Sequence, residues 1–460
     1  MKHRIITLLL AIITVATSFA AAPRYIFYFI GDGMGMGQVM ATEAYNRTIL
    51  GNTDHILMMQ FPVASLATTY SASSPVTDSA AAGTALASGH KTKNGMLGMT
   101  PDSTEVISIA RRLADRGYGI ALVTSVPIDD ATPGAFYAHV PHRGMYYEIG
   151  KQAAASGYSF LAGSTLRGTY TKEGKPNDLL DTFAANGVEI VHGLGELAAA
   201  KSDKVLLLNP ENLPAWQIGF TIDSVKGAMT LPEMTAAGLN HMQRTHPDRF
   251  FMMVEGGNID YGGHANDGGT IIKETLNFNQ ALRHAYDFYL AHPDETLIVV
   301  TADHETGGLG LGNNTVGYDL HLGYFDHQRV SKDRLADYCR SLRDSRRIYE
   351  WDDMKEYLAA NLGFWGPVPV TEEQTEQLKA EFEKCMAGDL SGEKTTLYNQ
   401  FDTFTERIFK ILDGLTGLGW TTNGHSGGPV PVYAIGSGSQ LFAPMIDNTQ
   451  IPEKILQLAL

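Results

Sequence analysis

An α/β fold, with one large, mostly parallel central sheet and helices on both faces, is what this sequence predicts. Three observations predict it. Continuous apolar runs of strand length recur between residues 24 and 320, amphipathic helical patterns alternate with them, and a charge-rich helical insertion interrupts the alternation at about 327–412. Runs apolar at every position suit strands buried on both faces. Strands alternating with helices imply a parallel sheet covered on both sides.

The elements follow in order. Residues 1–22 read as an export signal. Lys2, His3 and Arg4 form a basic start, Ile5 to Val15 is apolar but for Thr7 and Thr14, and Ser18-Phe19-Ala20-Ala21-Ala22 offers a small-residue cleavage site. The apolar stretch is shorter than the ~20 residues a spanning helix needs. Cleavage, release to the periplasm or medium, and a mature domain over residues 23–460 without a stable membrane anchor are therefore expected. Strand runs come at Tyr25 to Ile30, Gly119 to Thr124, Val205 to Leu208, Phe250 to Val254 and Leu297 to Thr301. Between them, Thr104 to Arg116 places Val106, Ile109, Ala110 and Leu113 on one helical face, with Gly117 as a stop. Ile271 to Ala291 repeats the device ahead of Pro293. The insertion carries helix formers over Ser331 to Tyr349, Glu372 to Met386 and Thr403 to Leu412; Arg340, Arg343, Arg346 and Arg347 read as a solvated helix face. Pro429 to Gly436 returns the chain to the sheet. Cys339 and Cys385 could pair in an oxidising compartment or stand as two buried thiols, and the sequence leaves both open.

The 460 residues are 44% hydrophobic and 18% charged, enough for a large core. A net charge of −15 with no long run of Lys or Arg excludes a nucleic-acid-binding surface and a polybasic membrane patch. It also disfavours an anionic substrate, unless metal ions reverse the sign locally.

Ligands of parallel α/β sheets bind beyond the carboxyl ends of the strands, so the residue leaving each apolar run is informative. Asp32 follows the first run, Thr132 lies beyond the second, Glu255 follows Phe250 to Val254, and Asp303 with His304 follows Leu297 to Thr301. One such carboxylate is usually a cap; four strand ends carrying ligand atoms are more than capping requires. Asp260 and His264 stand four apart, on one side of a helical turn. His425 sits in Asn423-Gly424-His425-Ser426-Gly427-Gly428, where glycines give it little to pack against. Carboxylates with imidazoles suit Zn²⁺, and an all-oxygen subset suits Mg²⁺. Ser79, in Thr77-Asp78-Ser79-Ala80-Ala81-Ala82-Gly83-Thr84, opens an Ala-rich helix whose N-terminus favours an anion. By itself it reads as a cap; beside a metal cluster it reads as a nucleophile.

Together these residues resemble the alkaline phosphatase family, over Asp32 to His425 in the family's order. The octapeptide around Ser79, Glu255-Gly256-Gly257-Asn258-Ile259-Asp260 and Thr301-Ala302-Asp303-His304-Glu305-Thr306 carry the likeness. The resemblance implies hydrolysis of phosphate monoesters through a phosphoserine at Ser79, with two Zn²⁺ and one Mg²⁺ per chain. It implies Asp260, His264 and His425 on the first zinc, Asp303 and His304 with Ser79 on the second, and Asp32 shared with a magnesium that Thr132 and Glu255 complete. It makes Arg143 the phosphate-gripping arginine and Asp78 the carboxylate that steadies it. Tyr261 and Asp130 fall at two positions that vary in the family, and Asp130 favours magnesium as the third metal. A homodimer is implied as well. A phosphodiesterase or nucleotide pyrophosphatase of the same superfamily is the alternative; Arg143 and the third metal set argue against it. The role of the insertion stays open: to cover the site, build a dimer contact or decorate the edge.

Overall fold

The structure, a computed structural model, describes residues 22–171, 173–211, 213, 217–345 and 349–460. Residues 1–21 of the expected signal, and Arg346 and Arg347 of the expected solvated face, lie outside the described residues. Among the described residues, ten strands form one sheet: β1 (Tyr25–Gly31), β2 (Val63–Thr68), β3 (Gly119–Thr124), β4 (Phe160–Ala162), β5 (Glu189–His192), β6 (Val205–Leu208), β7 (Phe250–Glu255), β8 (Thr296–Ala302), β9 (Val430–Gly436) and β10 (Ile446–Asp447). Their spatial order is β10-β2-β9-β8-β1-β7-β3-β4-β6-β5. Only β9 runs antiparallel to its neighbours, β8 and β2.

The expected apolar runs are the middle of this sheet. Every residue of β1, β3, β7 and β8 is buried. Tyr28 faces Phe136 and Phe251 on one side, while Phe27 and Phe29 meet Phe288 and Phe278 of the helix Gly268–Ala291 on the other. Alternation along the strand thus sends aromatic rings into both helical layers, which is why no polar position survives. Register then sets the site. Ile30 and Thr124 both stand opposite Glu255, and Gly31 stands opposite Ala302. The carboxyl ends of β8, β1, β7 and β3 are therefore level, and the chain leaves all four at one rim.

Three expectations need correction. The helix proposed for Thr104 to Arg116 spans only Ile109–Ala114. Ser108 caps it by accepting from the Arg111 N–H at 3.2 Å, and the Val106 N–H is already spent on the Gly98 carbonyl at 3.0 Å. Side-chain capping and an extended approach outcompeted the helical periodicity. Strands β2, β4, β5 and β10 went unread because β2 lies toward a sheet edge with Ala64 exposed, and the other three are short. In the insertion the helices are Lys332–Asp344, Trp351–Leu362, Glu372–Met386 and Thr403–Thr416, with a small hairpin of Lys394–Thr395 and Gln400–Phe401; the second helix was not anticipated.

The insertion has an apolar cluster of its own around Leu335, Leu358, Phe382 and Phe404, which meets the main domain through Ile271, Leu309 and Phe325. Arg340 does not simply face solvent. It donates to the Asn399 side chain at 2.9 Å and the Gln400 carbonyl at 3.0 Å, bracing the hairpin. Cys339 and Cys385 are separate buried thiols. Burial pushes both up, Cys385 to about 12, so neither is a ready thiolate. Among the described residues no helix is long and apolar enough to cross a membrane.

Candidate active site

Ser79 is the first residue of the helix Ser79–Ser88, and Asp78, not Ser79, is its cap, accepting from the Ala81 N–H at 3.0 Å. That frees the Ser79 hydroxyl. It is 1% exposed, and its Oγ lies 3.1 Å from His304 Nε2. Around it stand the residues drawn from the rim: Asp32 after β1, Glu255 ending β7, Asp303 and His304 after β8, and Thr132 in a short turn of helix after β3. His304 Nε2 is 3.2 Å from Asp303 Oδ2 and 3.4 Å from Asp32 Oδ1. Thr132 Oγ1 is 3.5 Å from Asp32 Oδ2. Asp260 and His264 do share one side of the helix Asn258–Ala265, 3.4 Å apart. Gly33, at φ +69°, lets the first loop pass this helix; a Cβ there would lie 2.9 Å from the Asp260 backbone.

His425 is better held than a glycine-rich loop suggested. With Ser426 it pairs antiparallel to Glu305–Thr306, and its ring stacks on His304 at 3.6 Å between centroids. Glycines freed the loop to approach, and the bridge to Glu305–Thr306 then fixed it.

Hydrogen-bond partners assign the proton on each imidazole. His264 Nδ1 meets the Asn423 carbonyl at 2.5 Å and His425 Nδ1 the Thr77 carbonyl at 2.8 Å. A carbonyl only accepts, so each Nδ1 carries the hydrogen. Thr306 Oγ1 donates to Asp260 Oδ1 at 2.5 Å, which leaves it to accept from His304 Nδ1 at 3.2 Å. All three Nε2 atoms are consequently lone pairs aimed inward, and those of His264 and His425 face one another at 3.2 Å. Two lone pairs at that distance repel unless a cation lies against both. Outer partners that fix the tautomer in this way are a regular feature of metal sites.

The carboxylates point to the same conclusion. Asp32 Oδ1, Glu255 Oε2, Asp260 Oδ2 and Asp303 Oδ2 are buried without a hydrogen-bond partner. Burial, then repulsion among them, pushes Asp32 well above the usual carboxylate range, Glu255 to about 8 and Asp303 to about 7. Ligand atoms of Asp260, His304 and His425 lie within 4.8 Å of one another, as do those of Asp32, Asp303 and His304. The donors thus fit divalent cations: nitrogen and oxygen at two positions, oxygen alone where Asp32, Thr132 and Glu255 meet.

Arg143 closes the other side. Its guanidinium stands 3.5 Å from Asp78 Oδ2 and 3.2 Å from Asp130 Oδ1. Burial works against its charge, but Asp130, Tyr398, Asp78 and Asp32 together hold its pKa well above normal. Tyr261 offers its hydroxyl to Asp130 Oδ2 at 3.4 Å. Every residue singled out in the sequence is thereby gathered in one place. Three contributors were missed. Thr306 lies inside a motif already recognised, and its donor role was readable there. Arg167, whose Nη2 donates to the Tyr261 hydroxyl at 3.0 Å and lies 3.6 Å from Asp130, carries no local signal. Nor does Tyr398, which the insertion stacks on Tyr261 at 3.7 Å between centroids.

The chain is similar to known proteins over nearly its whole length. A model of the family described as "Alkaline phosphatase" matches residues 24–165 and 157–460. Alkaline phosphatase 3 of Bacillus subtilis (strain 168) is 29% identical over 446 residues, covering 94% of this chain and 88% of that protein. The crystal structure of a cold-active alkaline phosphatase from the psychrophile Shewanella sp. superposes with a TM-score of 0.80 at 28% identity, covering 95% of this chain and 99% of the other. A histidine-to-aspartate variant of the alkaline phosphatase from the Antarctic bacterium TAB5, with magnesium bound in its M3 site, superposes with a TM-score of 0.66 at 25% identity over 96% and 99% of the two chains. On the extent of the family match, and with the geometry of the rim in accord, the chain belongs to the alkaline phosphatase family.

Proposed function

We propose that the chain hydrolyses phosphate monoesters to an alcohol and inorganic phosphate through a phosphoserine at Ser79, in a site holding two Zn²⁺ and one Mg²⁺. The observation that carries this reading is the pair of facing Nε2 lone pairs on His264 and His425 above four unpartnered carboxylate oxygens. Asp260, His264 and His425 would hold the first zinc, Asp303 and His304 with Asp32 the second, beside Ser79. Asp32, Thr132 and Glu255 would hold magnesium. The magnesium bound in the M3 site of the TAB5 variant, in which an aspartate replaces a histidine, supports that choice, since Asp130 is acidic here. When bound, the cations lower the pKa of the serine hydroxyl and offset the charge of the attacking and leaving oxygens.

The chain's own groups do the rest. Arg143, kept charged and oriented by Asp78 and Asp130, presents paired N–H donors to two phosphoryl oxygens. Ser79 Oγ loses its proton, forms the O–P bond as the ester O–P bond breaks on the opposite side, and the alcohol departs with a proton. Water then attacks the phosphoserine from the vacated side, returning Ser79 and releasing phosphate. Gripping the phosphoryl oxygens but little of the alcohol favours monoester dianions of many kinds. Export after cleavage of residues 1–22, and homodimer formation, belong to the same reading.

The test is metal content per chain, with activity measured before and after chelation. Three metals and chelation-sensitive turnover are expected; a metal-free active protein sinks the reading. Ser79→Ala should keep the metals and lower p-nitrophenyl phosphate turnover by about 10³-fold or more. Faster hydrolysis of bis-p-nitrophenyl phosphate than of the monoester would shift the assignment to a phosphodiesterase.

A further inference from the structure

Tyr398 reaches the site from outside the sheet. It sits at the tip of the hairpin Lys394–Thr395 and Gln400–Phe401, between helices of the insertion. The tip is closed by the Thr396 N–H on the Asn399 carbonyl at 2.8 Å. It is anchored by Asn399, which donates to Asp333 at 2.5 Å and accepts from Arg340 at 2.9 Å. A hairpin held at this many points places its ring rather than trailing it.

The ring lies on Tyr261, centroids 3.7 Å apart and planes 29° from parallel, and turns its flank to His264 at 5.3 Å and 74°. Tyr261 is 5% exposed, whereas Tyr398 is only partly buried, so the outer ring of the pair is the one a substrate meets. Among the described residues no group hydrogen-bonds the Tyr398 hydroxyl, which lies within electrostatic reach of Arg143. Beside the pair opens a cavity of about 560 Å³, walled by Tyr261, Tyr398 and Phe220, with the carboxylates of Asp223, Asp333 and Asp337 set against two cationic side chains. It has room for an organic group and no net excess of positive charge to attract a second anion.

We infer that Tyr398 is a specificity-determining residue whose ring is the platform for the alcohol portion of the substrate, favouring monoesters with an aromatic ring next to the ester oxygen. The inference rests on the proposed reading in one respect: the ester oxygen departs on the His264 side, which is the side that Tyr398 flanks. An aryl group there lies against the exposed face of Tyr398 or its edge, and an aliphatic alcohol gains less from the same surface. Aromatic pairing beyond simple burial corresponds to about a three- to tenfold preference.

The experiment compares the metal-loaded wild type with Tyr398→Ala, Tyr398→Leu and Tyr398→Phe. Binding of phenylphosphonate and methylphosphonate is measured by calorimetry, and kcat/KM for phenyl phosphate and glycerol 2-phosphate by phosphate release. Tyr398→Ala should lose phenylphosphonate affinity about three- to tenfold more than methylphosphonate affinity. Its kcat/KM should fall selectively for phenyl phosphate, chiefly through KM. Tyr398→Phe should keep the wild-type ratio of phenylphosphonate to methylphosphonate affinity. Tyr398→Leu, which keeps apolar bulk in the hairpin, should behave like Tyr398→Ala and serves if the smaller residue loosens the fold. Equal losses on both ligands, no loss on either, or a Phe variant whose ratio falls as far as that of Ala would overturn the platform. A failure of the phosphatase reading is distinguishable, because the wild type itself would then release no phosphate from either ester.

Discussion

The rim of the sheet and the helical insertion both bury charge, and they handle it in opposite ways. In the insertion, Lys332 is 2% exposed, yet its ammonium meets Glu406 at 2.6 Å and the Ala265 carbonyl at 2.7 Å and lies over the Phe401 ring. At the rim, Asp32, Glu255, Asp260 and Asp303 each leave an oxygen without a partner, and imidazole lone pairs face each other. Desolvation is costly in both places. For Lys332 the chain itself supplies the partners, which fixes the insertion against the Ala265 end of the site helix. The rim leaves that cost unanswered, which is sustainable only where cations complete the set. Four unpartnered carboxylate oxygens and two facing imidazole lone pairs gathered at one rim mark a place built for ligands.

Three changes would break or sharpen that contrast. Lys332→Met should have the largest effect on the fold. Removing one partner of a buried pair costs about 3 kcal/mol, so the midpoint of thermal unfolding should drop while metal content and kcat/KM of the folded protein persist. Lost metal with an unchanged midpoint would erase the distinction between the regions. Arg143→Ala comes next and should show in phosphate binding. Loss of a charge-assisted, forked contact should weaken competitive inhibition by inorganic phosphate about 10- to 100-fold, with metals retained. Unchanged inhibition would remove Arg143 from the phosphate contact.

The smallest effect belongs to a buried acid outside both clusters. Glu274 accepts from the Thr221 N–H at 2.6 Å, and burial pushes its carboxyl up from 4.5 to about 7. The folded state therefore holds a proton that the unfolded state releases, so this group's contribution to stability is full below pH 4.5 and is lost as pH rises to about 7. Glu274→Gln keeps an acceptor and has no proton to lose. It should be more stable than the wild type at pH 8, with the gap closing toward pH 4.5. Denaturant unfolding at both pH values checks it; a constant gap would mean that the carboxyl is ionised throughout.

How much was legible varied with the kind of signal. The central strands were plain because burial on both faces leaves no polar residue to blur the pattern, as in Tyr25–Gly31. The helix at Ile109–Ala114 was overdrawn because Ser108 capped it late, a competition between side-chain and backbone hydrogen bonds that periodicity does not register. The rim residues were legible since each leaves a recognisable strand. Arg167 and Tyr398 were not, because nothing near them in the chain says that they end beside Tyr261.

What the sequence determined by itself was therefore the donor chemistry: which carboxylates, imidazoles and hydroxyl leave the strand ends, and that a sheet would carry them. Local composition dictates strand burial, and the chain order of the strand ends dictates what stands at the rim. Tertiary structure alone decided the distances, the proton on each imidazole and the arrival of Tyr398 from the insertion. Those depend on register and on contacts between residues hundreds of positions apart, and no local preference encodes them.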